Sequence, residues 1–215
     1  MEAILHSANI ITHVTTGIFA LIIGLIILVK KKGTVAHQKL GIWFVYAVVL
    51  IVSTGIIGVF IFKRNLFLLV ITILVGYNTY SGIRVIQTKT NDFSVRDMLI
   101  MAGAVFITFY FLYYLNVIGF YWNPVIIYTT VGYLFFVIAY DLFRYCIPKS
   151  KYGDLWLYEH SCKMISALGG LLSAFTGTVL PDYKPYSQFL PSILMTVVMI
   201  VFLISIKHTI KKNEQ

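Results

Sequence analysis

The chain has 215 residues, of which 59% are hydrophobic and only 12% charged, with a formal net charge of +9 and a mean hydropathy of +0.87. Soluble domains carry roughly 45–50% apolar and 25% charged residues, so a water-soluble fold is excluded. The basic residues fall in short clusters between apolar runs rather than in one patch interleaved with aromatics, which excludes a nucleic-acid surface.

Seven segments approach or exceed the roughly 20 apolar residues needed to cross about 30 Å of hydrocarbon. They run over about 8–29, 40–62, 65–86, 98–119, 124–145, 160–180 and 189–208. Before the first span, Met1-Glu2 offers no basic leader and no small-residue cleavage site follows, so Ile10 to Val29 is expected to be a retained helix. Lys30-Lys31-Lys32-Gly33 closes that span, and Lys63-Arg64-Asn65 separates the second from the third. Gln87 to Asp97 is polar, Asn123-Pro124 opens the fifth span, Pro148 to Glu159 is a short polar link, and Pro181 to Pro191 forms the last loop. No polar block is long enough to fold independently, so residues 1–215 are expected to be one all-α, polytopic transmembrane bundle.

Basic residues favour the cytoplasmic side of a membrane. Counted by alternate loops, one side holds 14 Lys and Arg, and the other holds only Lys63, Arg64 and Lys184. This predicts the N-terminus outside and the C-terminus in the cytoplasm, as an odd number of spans requires. Cys146 and Cys162 then lie near the cytoplasmic face, where thiols stay reduced and no disulfide is expected.

A faint internal repeat relates spans 1–2 to spans 5–6. His13-Val-Thr-Thr-Gly17 begins the first span and Tyr128-Thr-Thr-Val-Gly132 lies early in the fifth. Each leads, after one crossing and a basic loop, to a histidine that opens the next helix: His37 in AHQKLG and His160 in YEHSCKMISALGG.

Several chemistries are unsupported by the sequence. No carboxylate is expected at mid-membrane, because Asp141 sits one turn before Arg144 at a helix end and the others are read as lying in loops or tails. Lys207 ends the last span rather than lying inside it, unlike a retinal-binding lysine, and no HExxH, HxxxH, Walker loop or Ser-His-Asp arrangement occurs. The histidines are the most informative polar residues. His37 and His160 share one depth and, on neighbouring helices, could ligate one metal ion or a haem b, or could simply hydrogen-bond at the interface. His13 lies inside its span and is expected to be buried beside Thr, Ser or Tyr, whereas His6 and His208 are expected to face solvent. In the third span, Gly76-Tyr77-Asn78-Thr79-Tyr80-Ser81-Gly82-Ile83-Arg84 is the most polar stretch of any helix. Tyr77, Tyr80 and Arg84 share one face at i, i+3 and i+7, which either lines a pocket or packs helices with Asn78 as polar glue. The aromatics of FYFLYYL and GFYW suit core filling and an interfacial belt.

On AHQKLGIWFVYAVVL, VGYNTYSGIRVI and His160 followed by Lys163-Met164, roughly Leu21 to Leu180, the chain resembles the DUF2306-like family of bacterial multi-pass membrane proteins. The resemblance implies a membrane fold in the bacterial cytoplasmic membrane and a histidine-lined site on its cytoplasmic side, but no established reaction. Gln38 and Ser166 stand where the family pattern has basic residues, so no anion-binding role carries over. Two functions stand side by side: a haem- or metal-binding redox protein using helix-end histidines, and a non-enzymatic transporter, sensor or accessory subunit. Expected partners are the lipid bilayer, a small-molecule ligand, and a second copy or another membrane subunit. The sharpest expectation is that His37 and His160 meet and, with Tyr77, Tyr80 or Arg84, form the mouth of the principal polar pocket.

Overall fold

The computed structural model describes residues 2–63, 67–119 and 123–213. Among these residues every regular element is helical. Seven helices are long and apolar enough to cross a membrane, which marks an integral membrane protein. They are α1 (Glu2–Val29), α2 (Val35–Phe60), α3 (Phe67–Thr88), α4 (Val95–Ile118), α5 (Pro124–Phe143), α7 (Leu155–Val179) and α8 (Tyr186–Asn213); the four-residue α6 (Lys149–Tyr152) lies between α5 and α7. Arg64, Asn65 and the Phe120-Tyr121-Trp122 part of the aromatic run lie outside the described residues.

Local chemistry sets several boundaries. Thr34 caps α2, its hydroxyl accepting from the His37 N–H at 3.3 Å. Asn123 caps α5, accepting from the Val125 N–H at 2.9 Å, with Pro124 at the first helical position where its missing N–H costs nothing. Lys32 folds back to donate to the carbonyls of Ile27 at 2.7 Å and Leu28 at 2.9 Å, satisfying orphan acceptors at the end of α1. Its ammonium also lies 4.5 Å from the centre of the Phe202 ring, tying α1 to α8.

α3 and α7 form the middle of the bundle. α3 packs on α2, α4, α5 and α7, and α7 packs on α1, α3 and α8, while α1 and α2 form a close pair. α3 and α7 run antiparallel and cross at small residues. A Cβ on Gly82 would sit 2.9 Å from Met164 Sδ and 3.2 Å from Lys163 Cβ, and one on Gly170 would sit 2.8 Å from Val75 Cγ2. Without a hydrophobic drive between helices in lipid, such close backbone approach is what holds them together. The main apolar cluster joins Ala20, Phe44, Val48 and Leu168 from α1, α2 and α7, while a second links Val70, Phe111 and Ile127 from α3, α4 and α5. α4 is only partly internal: Phe111 is fully buried, but Phe109 and Tyr113 of the same aromatic run point outward.

All the lysine-rich connections gather at one end. Asn91 donates to the carbonyls of Arg144 at 2.8 Å and Ile147 at 2.6 Å, and Lys89 lies over the Trp156 ring at 4.8 Å. At this end Lys149 bonds Asp92 at 2.6 Å, and that contact holds the Asp92 carboxyl below its ordinary pKa. The pair is exposed and contributes little to stability.

A candidate ion-linked site between α3, α5 and α7

Two residues on α3 begin the site. Tyr77 and Ser81 are four apart, so both point from one helical face toward α5 and α7. The Tyr77 hydroxyl donates to Asp141 Oδ2 at 2.8 Å and the Ser81 hydroxyl donates to the same oxygen at 2.7 Å. From α7, the Lys163 ammonium donates to Asp141 Oδ1 at 2.5 Å and to Ser81 Oγ at 2.6 Å. One carboxylate thus receives three donors from two other helices. That is the arrangement a charge buried away from water requires.

A second ion pair adjoins the first. Glu159, one turn before Lys163 on α7, lies 3.9 Å from that ammonium and 3.2 Å from the Arg144 guanidinium. The Tyr140 hydroxyl donates to Glu159 Oε1 at 2.9 Å, and Arg144 donates to the Thr90 carbonyl at 2.9 Å. Asp141, Glu159, Lys163 and Arg144 are only 3%, 4%, 4% and 5% exposed. Two negative and two positive charges balance, so the cluster can be ionised throughout without a net buried charge. Beside it, burial first and the Glu159 carboxylate second push the Tyr152 hydroxyl above its ordinary pKa.

The cluster opens into a narrow polar cleft lined by Tyr77, Tyr80, Ser81, Arg84, Asp97, Met101, Asp141, Arg144 and Tyr145. Its far wall is a third ion pair, Arg84 Nε to Asp97 Oδ1 at 3.1 Å, with the Tyr80 hydroxyl donating to Asp97 at 2.5 Å. The cleft volume is ≈ 10 Å³, about the space of one water molecule.

The face of α3 bearing Tyr77, Tyr80 and Arg84 therefore does line a pocket. Asn78 does not glue helices: it is fully buried and donates to the Leu74 carbonyl of its own helix at 2.9 Å, and its Oδ1 has no partner among the described residues. The histidines lie apart from this cleft. His160 is held against α3, its Nδ1 3.0 Å from the Gly82 carbonyl oxygen. His37 lies in the first turn of α2, and its Nδ1 is buried without a hydrogen-bond partner among the described residues. Neither histidine lines the polar cleft with Tyr77, Tyr80 or Arg84. His13 is half-buried with Nδ1 2.8 Å from the Thr54 hydroxyl, the threonine contact expected for a ring inside a span. His208 is exposed. His6 departs from expectation, because it is partly covered by a ring contact with Phe62 at 4.7 Å.

Three residues correct the sequence reading. Glu159 is not a loop residue, because α7 begins at Leu155 and carries it inside the bundle. Asp97 is likewise in the first turn of α4, and Lys163 is an ion-pair partner rather than only a topology signal. The spacing of Glu159 and Lys163, four apart on one helix, was the available clue.

Among the described residues, no group of three or more His, Cys, Asp or Glu is placed to hold a metal ion. Both cysteines are free. No protein family, curated protein or solved structure matches the chain.

Proposed function

We propose that the chain is a non-enzymatic membrane carrier that works through the Asp141–Lys163 ion pair. One observation carries this reading: four charged side chains, each 5% exposed or less, lie on membrane-spanning helices or directly at the end of one, and two of them, Asp141 and Arg144, line a polar cleft. Ionisable residues placed within a membrane are expensive and mark substrate, ion or proton pathways. A balanced cluster can open when a ligand or proton replaces one of its own partners, and such a replacement is what couples binding to a shift between two helix arrangements.

The same reading places the lysine-rich end in the cytoplasm of a bacterial cell, and sets the chain beside the DUF2306-like proteins it resembles. The test uses single-cysteine variants in a Cys146→Ser, Cys162→Ser background, with the thiol at Ser81 inside the cluster or at Ser166, beyond it along α7. A membrane-impermeant thiol reagent should label Ser81→Cys from the side that bears the lysine-rich connections, and Ser166→Cys from the opposite side. Asp141→Asn should shift the ratio of the two by about tenfold or more, as loss of a charge-assisted contact implies. Labelling from one side alone, unmoved by Asp141→Asn, would show a static structural cluster and overturn the carrier.

A second reading has its own observation. The Gly82 carbonyl engages one nitrogen of His160 and leaves Nε2 available, while His37 Nδ1 has no hydrogen-bond partner among the described residues. A backbone carbonyl that orients a ring in this way is typical of metal- and haem-ligating histidines. If this pair holds haem b or a metal ion, detergent-purified protein carries a Soret band or stoichiometric metal, lost equally in His37→Ala and His160→Ala. A featureless visible spectrum with no bound metal would remove this reading and leave the carrier intact.

A further inference from the structure

A second cavity, of ≈ 540 Å³, lies away from the charges. It is bounded by α5 and α8, between which there is no packed interface, and by α3 and α7 behind them. Its walls include Ile71, Leu74, Ile165 and Met199 together with the hydroxyls of Thr129, Thr130 and Thr196, and none of its lining residues is charged. Two hydrogen bonds join residues of its walls. Tyr133 of α5 meets Ser166 of α7 at 2.5 Å, and Ser173 of α7 meets Ser192 of α8 at 2.8 Å.

We propose that this cavity binds an uncharged amphiphile, a carbonyl- or hydroxyl-bearing head at the Tyr133–Ser166 pair with a hydrocarbon tail leaving between α5 and α8. The volume is that of a small-molecule site, 300–1,000 Å³ being typical, and mostly apolar walls with a few placed polar groups are what such sites show. The charge of the ligand follows from the lining, because an ion here would have no counter-charge. A head that accepts a hydrogen bond is favoured by donor arithmetic. Each hydroxyl pair has two O–H groups and uses one between its members, leaving one donor for a ligand oxygen. The tail follows from position, since the gap between α5 and α8 lies along two membrane-spanning helices and is edged by the exposed Val125 and Ile193.

The cavity and the ion cluster lie on the same two helices, about one to three turns apart. Ser166 stands three residues from Lys163, about 5 Å along α7, and Tyr133 stands eight residues from Asp141, about 12 Å along α5. The inference thus deepens the carrier reading by naming the class of molecule carried.

The test is photolabelling of the full chain in proteoliposomes with a diazirine-bearing C16 alcohol, and with the matching carboxylate and trimethylammonium. The alcohol should label α5 around Thr129 and α8 around Thr196, and unlabelled hexadecanol should compete. The charged probes should label these peptides about tenfold less or weaker still, given the cost of an unpaired charge in the membrane. Thr129→Phe and Thr196→Phe, which fill the cavity from opposite walls, should each abolish this labelling while leaving that of the lipid-facing Phe106 and Tyr113 peptides unchanged. Equal labelling of cavity and lipid-facing peptides, or labelling indifferent to both fillings, would overturn the site. A diacylglycerol probe separates the sources: labelling of the same peptides assigns the ligand to the bilayer, and its failure beside a positive alcohol assigns it to a single-chain amphiphile. Labelling that persists in Asp141→Asn after two-sided accessibility is lost supports the site independently of the carrier. Labelling in a parent chain that never switches sides keeps the site and sinks the carrier alone.

Discussion

Asp141 shows at the scale of one residue how a carboxylate can be kept inside a membrane bundle. Tyr77 and Ser81 give it two hydroxyl donors and Lys163 gives it an ammonium. Removing one partner of a buried pair leaves an uncompensated charge, which costs about 3–5 kcal/mol, whereas removing both charges together can be nearly neutral. Lys163→Met should therefore lower thermal stability in detergent sharply. Adding Asp141→Asn should restore most of the loss, because the amide oxygen still accepts from Tyr77 and Ser81 while the charge is gone. Equal stability of Lys163→Met and the parent would mean that the Asp141–Lys163 pair does not hold the fold together. His13 shows the milder case: a half-buried neutral ring needs one partner, and the Thr54 hydroxyl supplies it.

At the scale of the helix, α8 carries a proline in its interior, Pro191. A proline has no N–H to give the carbonyl four residues earlier, so the Ser187 carbonyl loses its helical donor. The Thr176 hydroxyl of α7 replaces it, reaching the Ser187 oxygen at 2.5 Å, as is required where no water can help. Thr176→Val keeps the shape and removes the donor. It should destabilise the protein by about 1–3 kcal/mol, read as a lowered melting temperature, with Thr176→Ser close to the parent. An unchanged melting temperature for the valine variant would mean that another group serves Ser187. The packing of α3 on α7 rests on the opposite device, glycines at 82 and 170 that leave room for Lys163, Met164 and Val75. It is this close approach that brings Ser81 within reach of the Lys163 ammonium.

For the whole molecule, helix number and class were legible in the sequence because the hydrophobic effect acts on each segment separately. A run of about 20 apolar residues bounded by lysines, prolines or turns must cross a bilayer as a helix, whatever its neighbours do. The polar face of α3 was legible for a similar reason, since i, i+3 and i+7 spacing is local, and Tyr77, Tyr80 and Arg84 indeed line one cleft. Partnership was not local. Asp141 and Glu159 looked peripheral because each lies near a helix end and a basic residue, and a basic residue near a span end reads equally as a topology signal or as a counter-ion. What only the tertiary structure decided is which helices touch. Antiparallel packing of α3 on α7 carries Lys163 to Asp141 and buries Glu159 beside Arg144, and it sets His160 on the Gly82 carbonyl rather than in the polar cleft. The absence of a packed interface between α5 and α8 leaves the second cavity. Composition and period act along one chain segment, whereas ion pairing and cavities depend on distances between segments that share no sequence neighbourhood.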